Sequence, residues 1–192
     1  MAASQVDLVG EERTLNLARA AVVAAVTSAT APVALTHPLA PGVPVTLQTL
    51  WVFLAGLVLG PAWAGVAFAL YLLAGALGLP VFAGAAGGIG HLVGPTGGFL
   101  LSFPVAAAVV GVVAHGTGVP TPPGDVPVPR AVAAIVAGSV VIYAFGAVGW
   151  SVLQATSLPA AVATVVVPFL PVAALKAAAA VAVVRSEALV PR

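Results

Sequence analysis

Between Arg19 and Arg185 the chain carries only three formal charges, Asp125, Arg130 and Lys176. The stretches between them are apolar, and several approach the roughly 20 residues that cross the hydrocarbon core of a bilayer. A water-soluble domain must cover its outside with polar side chains, and these stretches do not supply them. With 61% hydrophobic and 6% charged residues over 192 positions, the chain reads as an integral membrane protein, one compact all-α domain. No room is left for a soluble catalytic domain on either side. The net charge of +1 forms no basic patch, so nucleic acid is not an expected partner. The absence of cysteine excludes disulfides and cysteine-ligated metals. The N-terminus is acidic and polar, unlike the basic start of a cleaved signal peptide.

Proline and glycine divide the apolar sequence into six spanning segments. The first is expected at 14–35, after a polar N-terminus at 1–13. A Pro-rich break, His37 to Pro44, leads to a second segment at 46–59. Gly60-Pro61 leaves almost no loop before a third at 62–78, so the two form a tight helical hairpin. Residues 79–96 are too rich in glycine for a helix interior. Segments four and five follow at 97–114 and 131–151. Pro159, Pro168 and Pro171 break the early part of the sixth. Its spanning portion therefore starts near 168, after an irregular or short helical lead-in at 154–167. The six-helix bundle ends at 185, and 186–192 form a tail.

Six spans place both termini on one side. All five arginines fall there, while the connections 36–45, 79–96 and 152–167 contain no arginine or lysine. The positive-inside rule makes the termini cytoplasmic. The long, irregular connections then face outward, and irregular backbone near membrane depth survives where it lines a cavity. Lys176, the sole lysine, lies in the apolar run of segment six. A charge there costs about 2.5–3.5 kcal/mol on insertion scales. It either snorkels to a headgroup, is held neutral, or meets an anionic ligand at the floor of an outward-facing pocket.

The other polar residues allow similar choices. Thr46, Gln48 and Thr49 cluster at the outer start of segment two, where Gln48 either bonds a ligand or sits as a satisfied interfacial amide. Trp51, Tyr71, Phe82 and Phe99 wall a pocket or serve as ordinary packing. Ala21, Ala25 and Ala29 recur at four-residue spacing, a stripe that lets a helix approach closely. The approaching helix belongs either to the bundle or to a partner membrane subunit. Gly56-Leu-Val-Leu-Gly60 fits the internal hairpin better than a partner. The sole lysine follows Leu175, so this chain does not bind ATP through a P-loop. Gly88-Ile-Gly90-His-Leu-Val-Gly94 lacks the spacing and βαβ setting of a dinucleotide fingerprint. His37, His91 and His115 fall in three different connections, so no metal site is expected.

Pro41-Gly-Val-Pro-Val-Thr-Leu-Gln-Thr-Leu50, Leu54-Ala-Gly-Leu-Val-Leu-Gly-Pro61, Leu77-Gly-Leu-Pro-Val-Phe-Ala-Gly84 and Gly94-Pro-Thr-Gly-Gly-Phe99 resemble the signatures of the BioY family. BioY proteins are biotin-specific substrate-binding (S) components of energy-coupling factor (ECF) transporters. The resemblance covers roughly residues 15–185. It implies biotin uptake across a prokaryotic plasma membrane by a chain that is not an enzyme. The ligand would sit near the outer surface, under the loop between segments three and four. A transmembrane coupling subunit would dock on the alanine stripe of segment one. Two ATPase subunits would supply energy, and the chain itself would hold no cofactor. The family pattern Pro-Gly-Asp followed three residues later by Lys corresponds to Pro171, Val172, Ala173 and Lys176. Lys176 then resembles the residue that meets the ligand carboxylate, whereas the aspartate has become Ala173. Thr46, Gln48 and the backbone amides of the 82–90 loop, Gly84 among them, are the candidates for the ureido group. Phe82 and Phe99, the latter often Tyr in the family, would wall the apolar part.

Two other readings stay open. An S component for another anionic vitamin-like compound is prompted by Ala173. An autonomous secondary transporter lacks support from any inverted repeat or intramembrane acid. A membrane-embedded enzyme would need a nucleophile–base pair or metal cluster that the sequence does not offer.

Overall fold

A computed structural model describes residues 3–186. Apart from Ser186, the tail expected at 186–192 lies outside the described residues. The first helix, α1 (Ala3–Thr30), starts well inside the stretch read as a polar tail and stops five residues short of position 35. Its early charged residues are good helix formers, so polarity does not delay the helix. Pro32 explains its end, because the residue before a proline disfavours helical backbone. Ala20 and Thr27 on its inner face, and Ala31 just past its end, are buried.

The connection that follows departs from an all-α fold. β1 (Leu35–His37) pairs antiparallel with β2 (Ala40–Val45), with Leu35 opposite Val45 and His37 opposite Ala40. Pro44 stands opposite Thr36 in this ladder, and both strands of a two-stranded sheet are edge strands, where proline is tolerated.

Next comes α2 (Gln48–Ala76), 29 residues that fold back on themselves. Gly60 adopts φ 73° and ψ 178°, a conformation that glycine reaches freely, and Pro61 starts the second half. The reversal is demonstrated by Gln48 Nε2, which lies 2.6 Å from the Tyr71 hydroxyl. On a straight helix those residues would be about 35 Å apart. The hairpin expected at Gly60-Pro61 is therefore present. Gly56 does not serve it, however: a Cβ at Gly56 would collide with Val110 and the Ala107 carbonyl of the next helix.

That helix, α3 (Gly97–His115), packs against α2 on one side and α4 (Val128–Leu153) on the other. A short α5 (Leu158–Val165) and a 3-10 turn lead into α6 (Leu170–Arg185). Four stretches, Gln48–Ala76, Gly97–His115, Val128–Leu153 and Leu158–Arg185, are long and apolar enough to cross a membrane. The core holds Phe53, Leu57, Phe68, Tyr71, Val110, Ile135 and Ile142, all buried. Phe68 meets Tyr71 and Phe103 edge-on, with ring centres 6.1 and 5.8 Å apart. Outward-facing Val136, Val140, Val152 and Leu175 are exposed, as a lipid-facing surface requires. The two ends of the bundle differ. At one, Arg130 Nε donates to the Val113 carbonyl and Arg185 Nη1 to that of Gly124. The irregular 3–4 segment connection and the β-hairpin gather at the other.

Candidate ligand-binding site

At that second end the starts of α2, α3 and α6 and the second half of α4 surround a cavity of about 260 Å³. It has two roofs. The β-hairpin contributes Gly42, Val43 and Pro44, and the 79–96 connection contributes Phe82, Ala83 and His91. The hairpin is held down by Ala40 and Val43, which cluster with Val165 and Phe169. The second roof is tied to α2 by the Gly88 N–H, which donates to the Gly75 carbonyl at 2.7 Å, and is closed on itself by the Phe82 N–H, which donates to the Ala86 carbonyl at 2.8 Å. The Phe82 ring lies so close over Gly75 that no larger residue fits there, and it meets Tyr71 edge-on at 5.6 Å.

The α2 wall is polar but internally satisfied. The Thr46 hydroxyl donates to Gln48 Oε1 at 2.6 Å, and the Gln48 N–H returns a bond to Thr46 Oγ1 at 3.3 Å. Gln48 Nε2 donates to the Tyr71 hydroxyl at 2.6 Å, and that hydroxyl donates to the Val81 carbonyl at 2.9 Å. One chain of bonds thus runs from the hairpin exit through α2 to the second roof. Its members retain only one amide proton and spare lone pairs for a ligand.

The opposite wall is different. Lys176, Ala173, Val172 and Phe169 line the cavity from α6 and its lead-in, and Ile142 and Tyr143 from α4. Lys176 Nζ donates to Thr49 Oγ1 at 2.9 Å, across the cavity's floor. An ammonium has three protons to donate, and Thr49 is neutral. Asp125, the one acid between Glu12 and Glu187, does not help. Its turn packs beside Arg185, nine residues and about 13 Å further along α6. The cavity therefore offers a half-buried cation at one place and aromatic or aliphatic surface around it. This suits a ligand with a carboxylate on an apolar stem.

Of the residues singled out from sequence, Lys176, Gln48, Thr46, Phe82 and Phe99 all line this cavity. Gly84 does not: it sits exposed in the 3-10 turn Ala83–Ala85 with φ 69°, and Ala83 faces the cavity instead. Tyr71 stands behind Gln48, and Trp51 donates from Nε1 to Thr30 Oγ1 at 2.9 Å, fastening α2 to α1. Ala21, Ala25 and Ala29 are exposed on the outer face of α1, away from the buried Ala20, Thr27 and Ala31. Thr49's bond to Lys176, the β-hairpin roof, Thr96 and Tyr143 were not foreseen. Tyr143 is one of only two tyrosines, but an apolar helix gives no sign of which face it presents.

A crystal structure described as the S-component for biotin from an ECF-type ABC transporter has the same fold. Its TM-score is 0.72 at 21% identity, and the match covers 91% of each chain. The biotin transporter BioY of Rhodobacter capsulatus is 41% identical over 145 residues, 70% of this chain and 73% of its own length. The probable biotin transporter BioY of Pyrococcus horikoshii is 54% identical over 69 residues, and the biotin transporter BioY of Thermotoga maritima 53% identical over 78. Those two shorter matches span 36% and 41% of this chain, and 43% and 46% of the relatives' own lengths. The BioY family model itself matches residues 3–191, nearly the whole chain. On that match, and with its apolar helices and roofed cavity, this membrane protein belongs to the BioY family.

Proposed function

We propose that the chain binds biotin from outside the cell and serves as the substrate-specific subunit of an ECF-type transporter. The observation that carries this reading is the Lys176 ammonium, held by a single neutral hydroxyl in a cavity otherwise walled largely by apolar side chains. Biotin's carboxylate meets that cation, and its thioether ring and alkyl stem fill the space between Phe82, Phe99 and Phe169. In this reading the halves of α2 count as two spans, so six cross the plasma membrane of a prokaryote with both termini in the cytoplasm. The arginine-bearing end then faces the cytoplasm and the roofed cavity faces out. The exposed Ala21, Ala25 and Ala29 form the face on which a transmembrane coupling subunit docks. ATP is hydrolysed by two partner ATPases, with no catalysis or cofactor in this chain.

Equilibrium binding of labelled biotin to the purified protein tests the substrate. Saturable binding, displaced by desthiobiotin and not by pantothenate or lipoate, is the expected result. One observation favours a second reading: Ala173 faces the cavity where the family pattern has aspartate. Stronger displacement by pantothenate or lipoate than by biotin would establish an S component for a different anionic compound. The docking face is tested by Ala25→Trp, expected to leave biotin binding intact while stopping uptake in cells that express the whole transporter.

A further inference from the structure

A wholly apolar groove runs along the outside of the bundle between α4 and α5, lined by Val140, Ala144, Val148, Leu158 and Val162. Tyr143 belongs to both this groove and the ligand cavity, so one side chain separates them. The groove presents no polar surface, so the Tyr143 hydroxyl is not exposed in it. Among the described residues that hydroxyl has no hydrogen-bond partner. The ring packs with Ala40, Val43, Val165 and Phe169, which fixes its place in the wall. The rest of the α4 and α6 wall offers Ile142, Phe169, Val172 and Ala173, leaving Tyr143 and Lys176 as its polar groups. On the α2 wall, Thr46, Gln48 and Tyr71 are already spent on one another and on Val81.

We infer that Tyr143 sets specificity for the polar head of the ligand, donating its hydroxyl proton to a carbonyl oxygen there while Lys176 holds the carboxylate. The inference rests on the biotin reading, in which the acceptor is the ureido oxygen. Tyr143 is half-buried, and its hydroxyl, with no protein partner, is free to donate to a ligand carbonyl that enters the cavity. A ligand that carries a donor at that point is discriminated against, because its proton faces another.

The test is Tyr143→Phe, which removes the oxygen and keeps the ring between cavity and groove. Biotin, biotin carboxamide and 2-iminobiotin, in which an imine replaces the ureido carbonyl, are titrated into the wild type, Tyr143→Phe and Lys176→Ala. Tyr143→Phe is expected to weaken biotin about three- to tenfold. It should also bring the affinities for biotin and 2-iminobiotin closer together, with thermal stability and the preference for biotin over its carboxamide unchanged. Lys176→Ala should do the converse and abolish the carboxamide preference. A merely structural Tyr143 would lower all three affinities alike, and that result overturns the assignment. So does unchanged biotin affinity in Tyr143→Phe, which leaves the biotin reading standing. A wild type that binds no biotin removes both.

Discussion

The two walls of the cavity are built on opposite plans. On the α2 side every polar group is engaged: Thr46, Gln48 and Tyr71 pass hydrogen bonds to one another and finally to Val81. On the α4 and α6 side Lys176 has one neutral partner and Tyr143 has none among the described residues. A satisfied network in a low-dielectric setting holds backbone in place. An unsatisfied cation there is costly until something anionic arrives. Under the proposed function the first wall is structure that happens to face the ligand, and the second is where binding energy would be gained.

The largest effect should come from breaking the first wall. Gln48→Leu leaves the Thr46 and Tyr71 hydroxyls short of a partner, each at a cost of about 1–3 kcal/mol. The melting temperature in detergent should fall clearly, and biotin affinity with it, since the second roof loosens. A fall in affinity with no change in melting would move Gln48 to the ligand-reading side and undo the comparison. Tyr71→Phe is a milder form. It keeps the edge-on contacts with Phe68 and Phe82 but strips the Gln48 amide and the Val81 carbonyl of that hydroxyl, and should lose about 1–3 kcal/mol of stability. Smallest of all, Thr49→Val removes the neutral partner of Lys176. It should lower stability by roughly 1 kcal/mol or less while leaving biotin affinity within about threefold, because the carboxylate takes over that bond. A tenfold loss in titration calorimetry would show instead that Thr49 contacts the ligand.

Much of the fold could be read from residues because lipid punishes unsatisfied backbone and so makes apolar runs and their breaks informative. Gly60-Pro61 announced a reversal, and the Gln48–Tyr71 bond shows it. The start of α1 escaped because charged residues carry a helix as readily as apolar ones do. The β-hairpin escaped because prolines hid a strand that uses only one edge. In the site, Lys176, Gln48, Thr46, Phe82 and Phe99 were legible, helped by the family resemblance. Gly84 was misplaced because a glycine-rich connection has no period to say which amides turn inward. Thr49 and Lys176 are 127 residues apart, and Tyr143 shares the cavity with both only through helix packing. No spacing rule encodes such meetings.

Biotin titrated into the wild type and Lys176→Ala, with biotin carboxamide alongside, probes the second wall most directly. The wild type should bind biotin and discriminate against the carboxamide, and Lys176→Ala should bind biotin weaker by about five- to 100-fold and lose that discrimination. Equal biotin affinity in the two proteins would contradict the pairing of Lys176 with a carboxylate, and no binding by the wild type would contradict the assignment to biotin itself.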